Sequence, residues 1–364
     1  MKVTPLTRFS LGLFAGIGGV FAGLAAVYAA VSLLWPASLP APALSPMVHL
    51  DEKLRFLRDR PELDPHILAV GSSVTWRQLA GGAFAALAGG PHRFVNAATA
   101  ALQISQTRRL TEFYLDNYPS VRTVLVLTSL PDFEGCKDEA AGRLIDPADA
   151  RAYTFGGWPA AYFYLRYFSP QRYAKAVLTL SGRRTPLTGD LYFDDYGSGP
   201  VKLPEGVDLG LRYKAIAPDP TCVEALNGFL GAMSERGVRT VLVFAPIHPE
   251  YRRAYPDVTR QLGEVAKGLK EGLPPRVQVL LLYDDTGFDG DDFYDAFHLE
   301  QPAAERLSAL IARAMRHEGP PAVLTGDMIR ALGDRPAVAV QPRDSHARPF
   351  RLVPASATRA MLRM

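Results

Sequence analysis

His66-Ile67-Leu68-Ala69-Val70 runs directly into Gly71-Ser72-Ser73-Val74-Thr75-Trp76. The first five residues are a short apolar run of the kind that makes a buried strand. The glycine permits a sharp turn, and a helical pattern follows shortly after. A strand that turns straight into a helix is the opening unit of an α/β domain, and the chain repeats it. Residues 93–95, 123–128, 239–245 and 277–283 are further strand-like runs, and three of these runs are continuous Val/Leu/Phe stretches, as parallel strands covered on both faces require. Between them, residues 78–88, 104–118, 223–236 and 258–269 fit helices. The alternation predicts a three-layer α/β/α sandwich of about five parallel strands, with chemistry carried by loops at the strand C-terminal ends.

The 364 residues carry 48% apolar and 21% charged side chains, which excludes a disordered chain, a collagen or a disulfide-dense mini-scaffold. Lys+Arg 40 against Asp+Glu 37 leaves +3, a balance that argues against a nucleic-acid partner. Two cysteines, Cys136 and Cys222, cannot build a four-ligand zinc cage. No His-Glu-x-x-His, EF-hand loop or Cys/His cluster is present. The acidic run Asp284, Asp285, Asp289, Asp291 and Asp292 lacks calcium-loop spacing and reads as a solvated loop. No metal site and no cofactor is expected.

Outward toward the N-terminus, residues 9–50 contain no Asp, Glu, Lys or Arg, and residues 11–35 are almost wholly apolar. As a helix this stretch would run roughly 37 Å at about 1.5 Å per residue, enough to cross a hydrocarbon core of about 30 Å with some tilt. A cleaved signal has a shorter apolar region, so residues 1–35 read as a retained transmembrane anchor. Lys2 and Arg8 precede the span while Asp51 and Glu52 follow it with Lys53 and Arg55, which favours a cytoplasmic N-terminus and places the bulk of the chain outside the inner membrane, facing the periplasm. Residues 36–62, Pro-rich from 36 to 46, read as a stiff spacer and lead-in that holds the domain off the lipid.

The third and fourth strands stand about 110 residues apart, too far for one crossover helix, so an insertion is expected at residues 133–220. Its aromatic segment, residues 158–167, reads either as a satellite core or as a substrate lid or membrane-interface contact. Cys136 and Cys222 flank the insertion, and a bridge between them could pin its two ends. The domain is expected to span residues 63–318. Residues 319–364, with seven Arg against three acidic residues, read as a loosely ordered basic tail, either solvated or in contact with an anionic polymer or headgroups.

Ser72 and Ser73 fall where a strand turns into a helix. There a serine can cap the helix or serve as a nucleophile at the sheet's carboxyl edge. The residue two places after Ser73 is Thr75, so this is not the Gly-x-Ser-x-Gly elbow. Asp295 and His298 follow the final strand and precede a helical run. On such a loop both can face one cleft, the imidazole accepting a serine proton while the carboxylate fixes its tautomer. His248 directly follows the fourth strand, on the same edge as Ser73; it reads as a turn histidine or as a lining of the acceptor site. Arg77 reads as an exposed helix residue or as a group orienting an anionic or polyhydroxylated substrate.

At these residues the chain resembles the SGNH (GDSL-like) hydrolase superfamily, whose sheet is flavodoxin-like. Gly71-Ser72-Ser73 is similar to the Gly-Asp-Ser block, with the nucleophile on Ser73. Asp295 and His298 match the Asp-x-x-His block. The second block resembles Phe94 through Ala101, containing Asn96 as a substrate-side residue and Ala101 near the glycine that lends its N–H to the oxyanion hole. The resemblance therefore implies a Ser73, Asp295, His298 triad with Ser73 and Ala101 amides in the hole. The third block departs from the pattern, since Thr128-Ser129-Leu130-Pro131-Asp132 has no Asn. Losing such a donor costs about 3 kcal/mol of transition-state stabilisation. Anchor, serine variant and insertion together look more like the subgroup that modifies cell-envelope polymers, such as the D-alanine transfer protein of teichoic acids and the acyltransferase-like proteins of polysaccharide acetylation. That implies a membrane-anchored serine acyltransferase or esterase, a polysaccharide acceptor and a multispanning membrane O-acyltransferase as partner. The competing expectation is a non-catalytic scaffold of the same fold that binds the polymer or that partner.

Overall fold

The computed structural model describes residues 5–88, 93–136, 144–180, 191–203, 210–317 and 323–332. Along the chain, α1 (Pro5–Leu34) and α2 (Val48–Arg58) precede β1 (Ile67–Ala69), α3 (Ser73–Gln78), α4 (Gly81–Ala88), β2 (Phe94–Asn96), α5 (Ile104–Asn117) and β3 (Thr123–Thr128). Three helices, α6 (Pro147–Thr154), α7 (Ala160–Arg166) and α8 (Pro170–Leu180), lie between β3 and α9 (Pro220–Glu235). The chain then forms β4 (Arg239–Phe244), α10 (Pro249–Ala254), α11 (Pro256–Glu271), β5 (Val277–Leu281), α12 (Gln301–Met315), β6 (Val323–Thr325) and α13 (Gly326–Ala331).

The strands pair in the order β2-β1-β3-β4-β5-β6, every neighbour parallel. Their apolar runs are continuous because both faces are covered. Val124, Val126, Leu242, Phe244 and Val279 point into one core with Leu110, Phe113, Phe229, Leu230 and Leu262 of α5, α9 and α11. Leu125, Leu127, Val241, Val243 and Leu280 point into a second with Val74, Phe84, Leu307 and Ile311 of α3, α4 and α12. Because β2 and β3 lie on opposite sides of β1, the chain reverses direction at β1. This leaves a crevice at the carboxyl ends of β1 and β3, where ligands collect in open α/β sheets.

The sheet has six strands, one more than expected. The sixth, Val323–Thr325, comes from the segment read as a loose tail and pairs with β5 through Val279↔Val323 to Leu281↔Thr325. Three residues between prolines and arginines are too short to display a period, and α13 behind them is held by Arg330 on Asp285, with Nη2–Oδ1 at 3.0 Å. The basic residues 333–364 lie outside the described residues, as does Lys2. The helix expected at residues 78–88 is α4, beginning at Gly81, and a separate short helix, α3, precedes it from Ser73.

The Pro-rich stretch is also not a free spacer. Leu39, Ala41, Leu44 and Ser45 are buried. Charged side chains of α2 pair with the stretch's backbone: Ala41 N–H donates to Glu52 Oε1 and Ser45 N–H to Asp51 Oδ1, both at 2.7 Å, while Arg55 Nη1 donates to the Leu39 carbonyl at 2.6 Å. The charges at residues 51–55 are thus taken up by the fold, and the stretch is a strap bound to the domain. Proline content suggests a linker only while no neighbouring carboxylate offers the remaining amides a partner.

Cys136, just beyond β3, is disulfide-bonded to Cys222 in the first turn of α9, closing a sequence separation of 86. Within α1, residues Gly12–Leu34 are long and apolar enough to cross a membrane, and Phe14, Val20, Phe21, Leu24 and Val27 stand exposed along it.

Candidate active site

Gly71 ends the turn after β1 with φ +138°, a conformation for glycine; a Cβ there would sit 2.5 Å from Thr75 Oγ1. Thr75 Oγ1 in turn donates toward the Leu127 carbonyl at 2.8 Å and accepts from Leu127 N–H at 3.0 Å, so the turn is tied to β3. This separates the two serines. Ser72 is the N-cap of α3, accepting from Val74 N–H at 3.1 Å. Ser73 is left with its hydroxyl 2.9 Å from His298 Nε2.

The other side of the site is a small loop closed by the antiparallel bridge Phe293↔Leu299 and by Tyr294 N–H donating to the His298 carbonyl at 3.0 Å. Inside it, His298 Nδ1 lies 2.9 and 3.0 Å from the two oxygens of Asp295. Asp295 Oδ1 also accepts the Phe297 and His298 amides at 2.9 and 3.0 Å. Burial alone would raise the Asp295 carboxyl, but the neighbouring imidazole and these hydrogen bonds outweigh it and hold the group below its usual range. With the Nδ1 proton held by the carboxylate, Nε2 presents its lone pair to the serine. The Tyr294 ring stacks on the imidazole, centroids 5.4 Å apart and planes 11° apart. Gln78 of α3 donates to the Phe297 carbonyl, fastening this loop to the helix that carries Ser73.

Ala101 sits in the loop after β2 at φ 56°, a left-handed backbone that glycine adopts more easily. Thr99 N–H donates to the Gly71 carbonyl at 3.0 Å, which lays that loop beside the serine turn. The Thr99 hydroxyl is buried there with no partner among the described residues.

Asn96 is not open to a substrate. It is fully buried, its amide donating to the Thr75 carbonyl at 3.1 Å and to Ser198 Oγ at 3.0 Å while Oδ1 accepts Ala98 N–H at 3.1 Å. Its task is to clamp the end of β2 to the turn. Arg77 is neither an exposed helix residue nor open: it is buried, stacked 3.7 Å over the Trp76 ring, with Nη1 donating to the Gly199 carbonyl at 2.9 Å. His248 caps α10, Nδ1 accepting Glu250 N–H at 3.0 Å, and its own amide donates to the Ala296 carbonyl at 3.0 Å, so it braces the triad loop. Burial pushes its imidazole down from the ordinary value.

Sequence reasoning missed two groups. Asp132 is buried at the carboxyl end of β3, where Oδ2 accepts from Thr128 Oγ1 at 2.9 Å and Ser129 N–H at 3.1 Å. Burial pushes its carboxyl up to about 6, against hydrogen bonds from Ser72, Ser129 and Thr128. Lys53 of α2 is wholly buried, donating to the Asn96 carbonyl at 2.9 Å and to the Gly197 carbonyl, with its ammonium 4.2 Å from the Phe193 ring centroid. A lysine three residues after an apolar stretch carries no pattern that would single it out. Asp132 had a signal: an acid directly following a buried strand that ends at the same rim as Ser73.

No metal-holding group of three or more His, Cys, Asp or Glu occurs among the described residues. No family model and no curated protein matches this chain.

Proposed function

We propose that this chain is a membrane-anchored serine O-acyltransferase or esterase of the SGNH (GDSL-like) type, facing the periplasm and acting on a cell-envelope or exported polysaccharide. The observation that carries the reading is the continuous path from the Asp295 carboxylate through the His298 ring to the Ser73 hydroxyl, 2.9 Å at its last step. In this reading Ser73 Oγ bonds to the carbonyl carbon of an acyl donor as its proton passes to His298 Nε2. The bond to the donor's leaving atom then breaks and that atom takes the proton. A sugar hydroxyl or water next bonds to the acyl carbon, giving its proton to His298; the bond from that carbon to Ser73 Oγ breaks, His298 returns the proton to Oγ, and the new ester or the free acid leaves. Asp295 stabilises the imidazolium at each stage, and the Ser73 and Ala101 amides are assigned to the carbonyl oxygen as it becomes charged. None of these steps calls for a cofactor.

Transfer is preferred to hydrolysis because α1, as an anchor in the inner membrane, would keep the domain beside a polymer and a multispanning membrane O-acyltransferase partner. The Cys136–Cys222 bond supports the periplasmic side, since disulfides persist in oxidising compartments.

A fluorophosphonate probe applied to the full chain in membranes tests the reading. Labelling of wild type that vanishes in Ser73→Ala is expected. Wild type that stays unlabelled and shows no ester turnover would leave the scaffold reading in its place. Alkaline phosphatase fused to the C-terminus tests orientation separately; an inactive fusion would overturn the periplasmic assignment.

A further inference from the structure

The aromatic segment between β3 and β4 has two faces. Phe163 and Tyr164 of α7 are buried and pack with Tyr153, whereas Trp158, Tyr162, Leu165 and Phe168 are exposed, Trp158 and Leu165 at 52% and 51%. Large apolar groups standing together outside a domain need an environment to meet. Here the neighbour is α1. Tyr28 of α1 packs against Phe168 with centroids 4.5 Å apart and planes tilted by 43°, and meets the edge of Tyr173 at 5.8 Å. Tyr28 Oη donates to the Tyr164 carbonyl at 3.4 Å, and Tyr164 Oη donates to the Pro36 carbonyl at 3.1 Å. The end of the apolar helix is therefore docked on α7 rather than joined to the domain by a loose tether.

Depth follows from helix geometry. Tyr28 lies six residues before Leu34, the last residue of the candidate span. At about 1.5 Å per residue this is roughly 9 Å inward from the end of the span, inside a hydrocarbon core about 30 Å thick. The contacts of α7 and Phe168 thus run from Tyr28 within the span to Pro36 just past its end, where Trp35, 62% exposed, lies one residue beyond α1. Tryptophan and tyrosine favour the interfacial layer, where an apolar ring meets a wet edge. A groove beside them is lined by Tyr28, Pro42, Asp51, Arg172, Tyr173 and Lys175; Arg172 donates to the Ala43 and Ser45 carbonyls of the strap, and Lys175 is the second cation on its rim, which anionic headgroups would meet.

We propose that the outer face of α7, with Phe168 and Trp35, is a lipid-facing platform that seats the domain in the interfacial layer of the bilayer that α1 crosses. This rests on α1 being a membrane span. The platform holds the domain at a fixed height and tilt, with the α7 side of the sheet toward lipid and α12, on the opposite face, toward solvent.

No free thiol occurs among the described residues, so a single added cysteine can carry an environment-sensitive fluorophore. The full chain is reconstituted in phosphatidylcholine and phosphatidylglycerol vesicles containing a lipid with a shallow nitroxide quencher. Labels are placed in turn at Leu165→Cys and Trp158→Cys on the platform, Val20→Cys in the span and Glu305→Cys on α12. The proposal expects blue-shifted emission at positions 158, 165 and 20, with loss of intensity to the shallow quencher at 158 and 165, and neither change at 305. Emission at 158 and 165 as water-like as at 305, with position 20 still blue-shifted, overturns the platform while leaving the anchor. Emission at position 20 that is also water-like removes the span and the platform together.

Discussion

Asp295 receives hydrogen bonds from its own loop and from the imidazole it orients, and this determines how its replacement should behave. An asparagine keeps the shape of the loop but removes the charge that fixes the His298 tautomer. In the proposed acyl-transfer reading, Asp295→Asn is therefore expected to lower turnover of an ester substrate by about 10⁴-fold with the fold retained, measured as kcat beside circular dichroism; unchanged turnover would remove Asp295 from the proposed mechanism. The two buried carboxylates at the site, Asp295 and Asp132, differ in their linkage to stability. Asp295, held below its usual range, stabilises the fold at neutral pH and loses that contribution as the pH falls through its native pKa. Asp132, raised to about 6, does the reverse: from its unfolded value near 3.8 up to about 6 the unfolded chain ionises first, and stability drains away as pH rises. The melting temperature of Asp132→Asn relative to wild type should become more favourable between pH 4 and pH 7. A difference that stays flat would mean that Asp132 ionises normally. Of the site, Ser73, Asp295 and His298 were legible because each follows a strand-like run and therefore comes to the sheet's rim. Asn96 and Arg77 were misread, since composition does not reveal which polar groups the protein satisfies from within.

At the level of elements, the site depends on three segments being laced together: the end of β2, the turn into α3 and the stretch through Ser198. Asn96 reaches all three, and removing it leaves the Thr75 carbonyl, the Ser198 hydroxyl and the Ala98 amide short of a partner in a dry interior. Asn96→Ala is expected to cost about 3 kcal/mol in chemical denaturation. A loss under about 0.5 kcal/mol would indicate that the segments hold without it. The long strands were readable because both their faces are buried, so hydrophobicity alone marks them. The strap and β6 were not, for opposite reasons. In the strap, prolines suggested a linker although Asp51 and Glu52 bind its amides. In β6, three residues acquire their structure only from the neighbouring β5.

For the whole molecule, the covalent link between Cys136 and Cys222 spans a long stretch of chain, and closing such a loop restricts the unfolded ensemble. Reduction, or the double change Cys136→Ala with Cys222→Ala, should lower stability by roughly 4 kcal/mol, read as a fall in the denaturant midpoint. Equal midpoints with and without reductant would show that the tertiary packing alone sets stability. The outermost strand carries a further consequence. A chain cut after Met315 would uncover the peptide groups of Val279–Leu281 along one margin of the sheet, a ready template onto which a second molecule can zip. Shortened in this way, the protein should sediment as concentration-dependent aggregates even though every group around Ser73 is retained, so β6 acts as its guard against self-assembly.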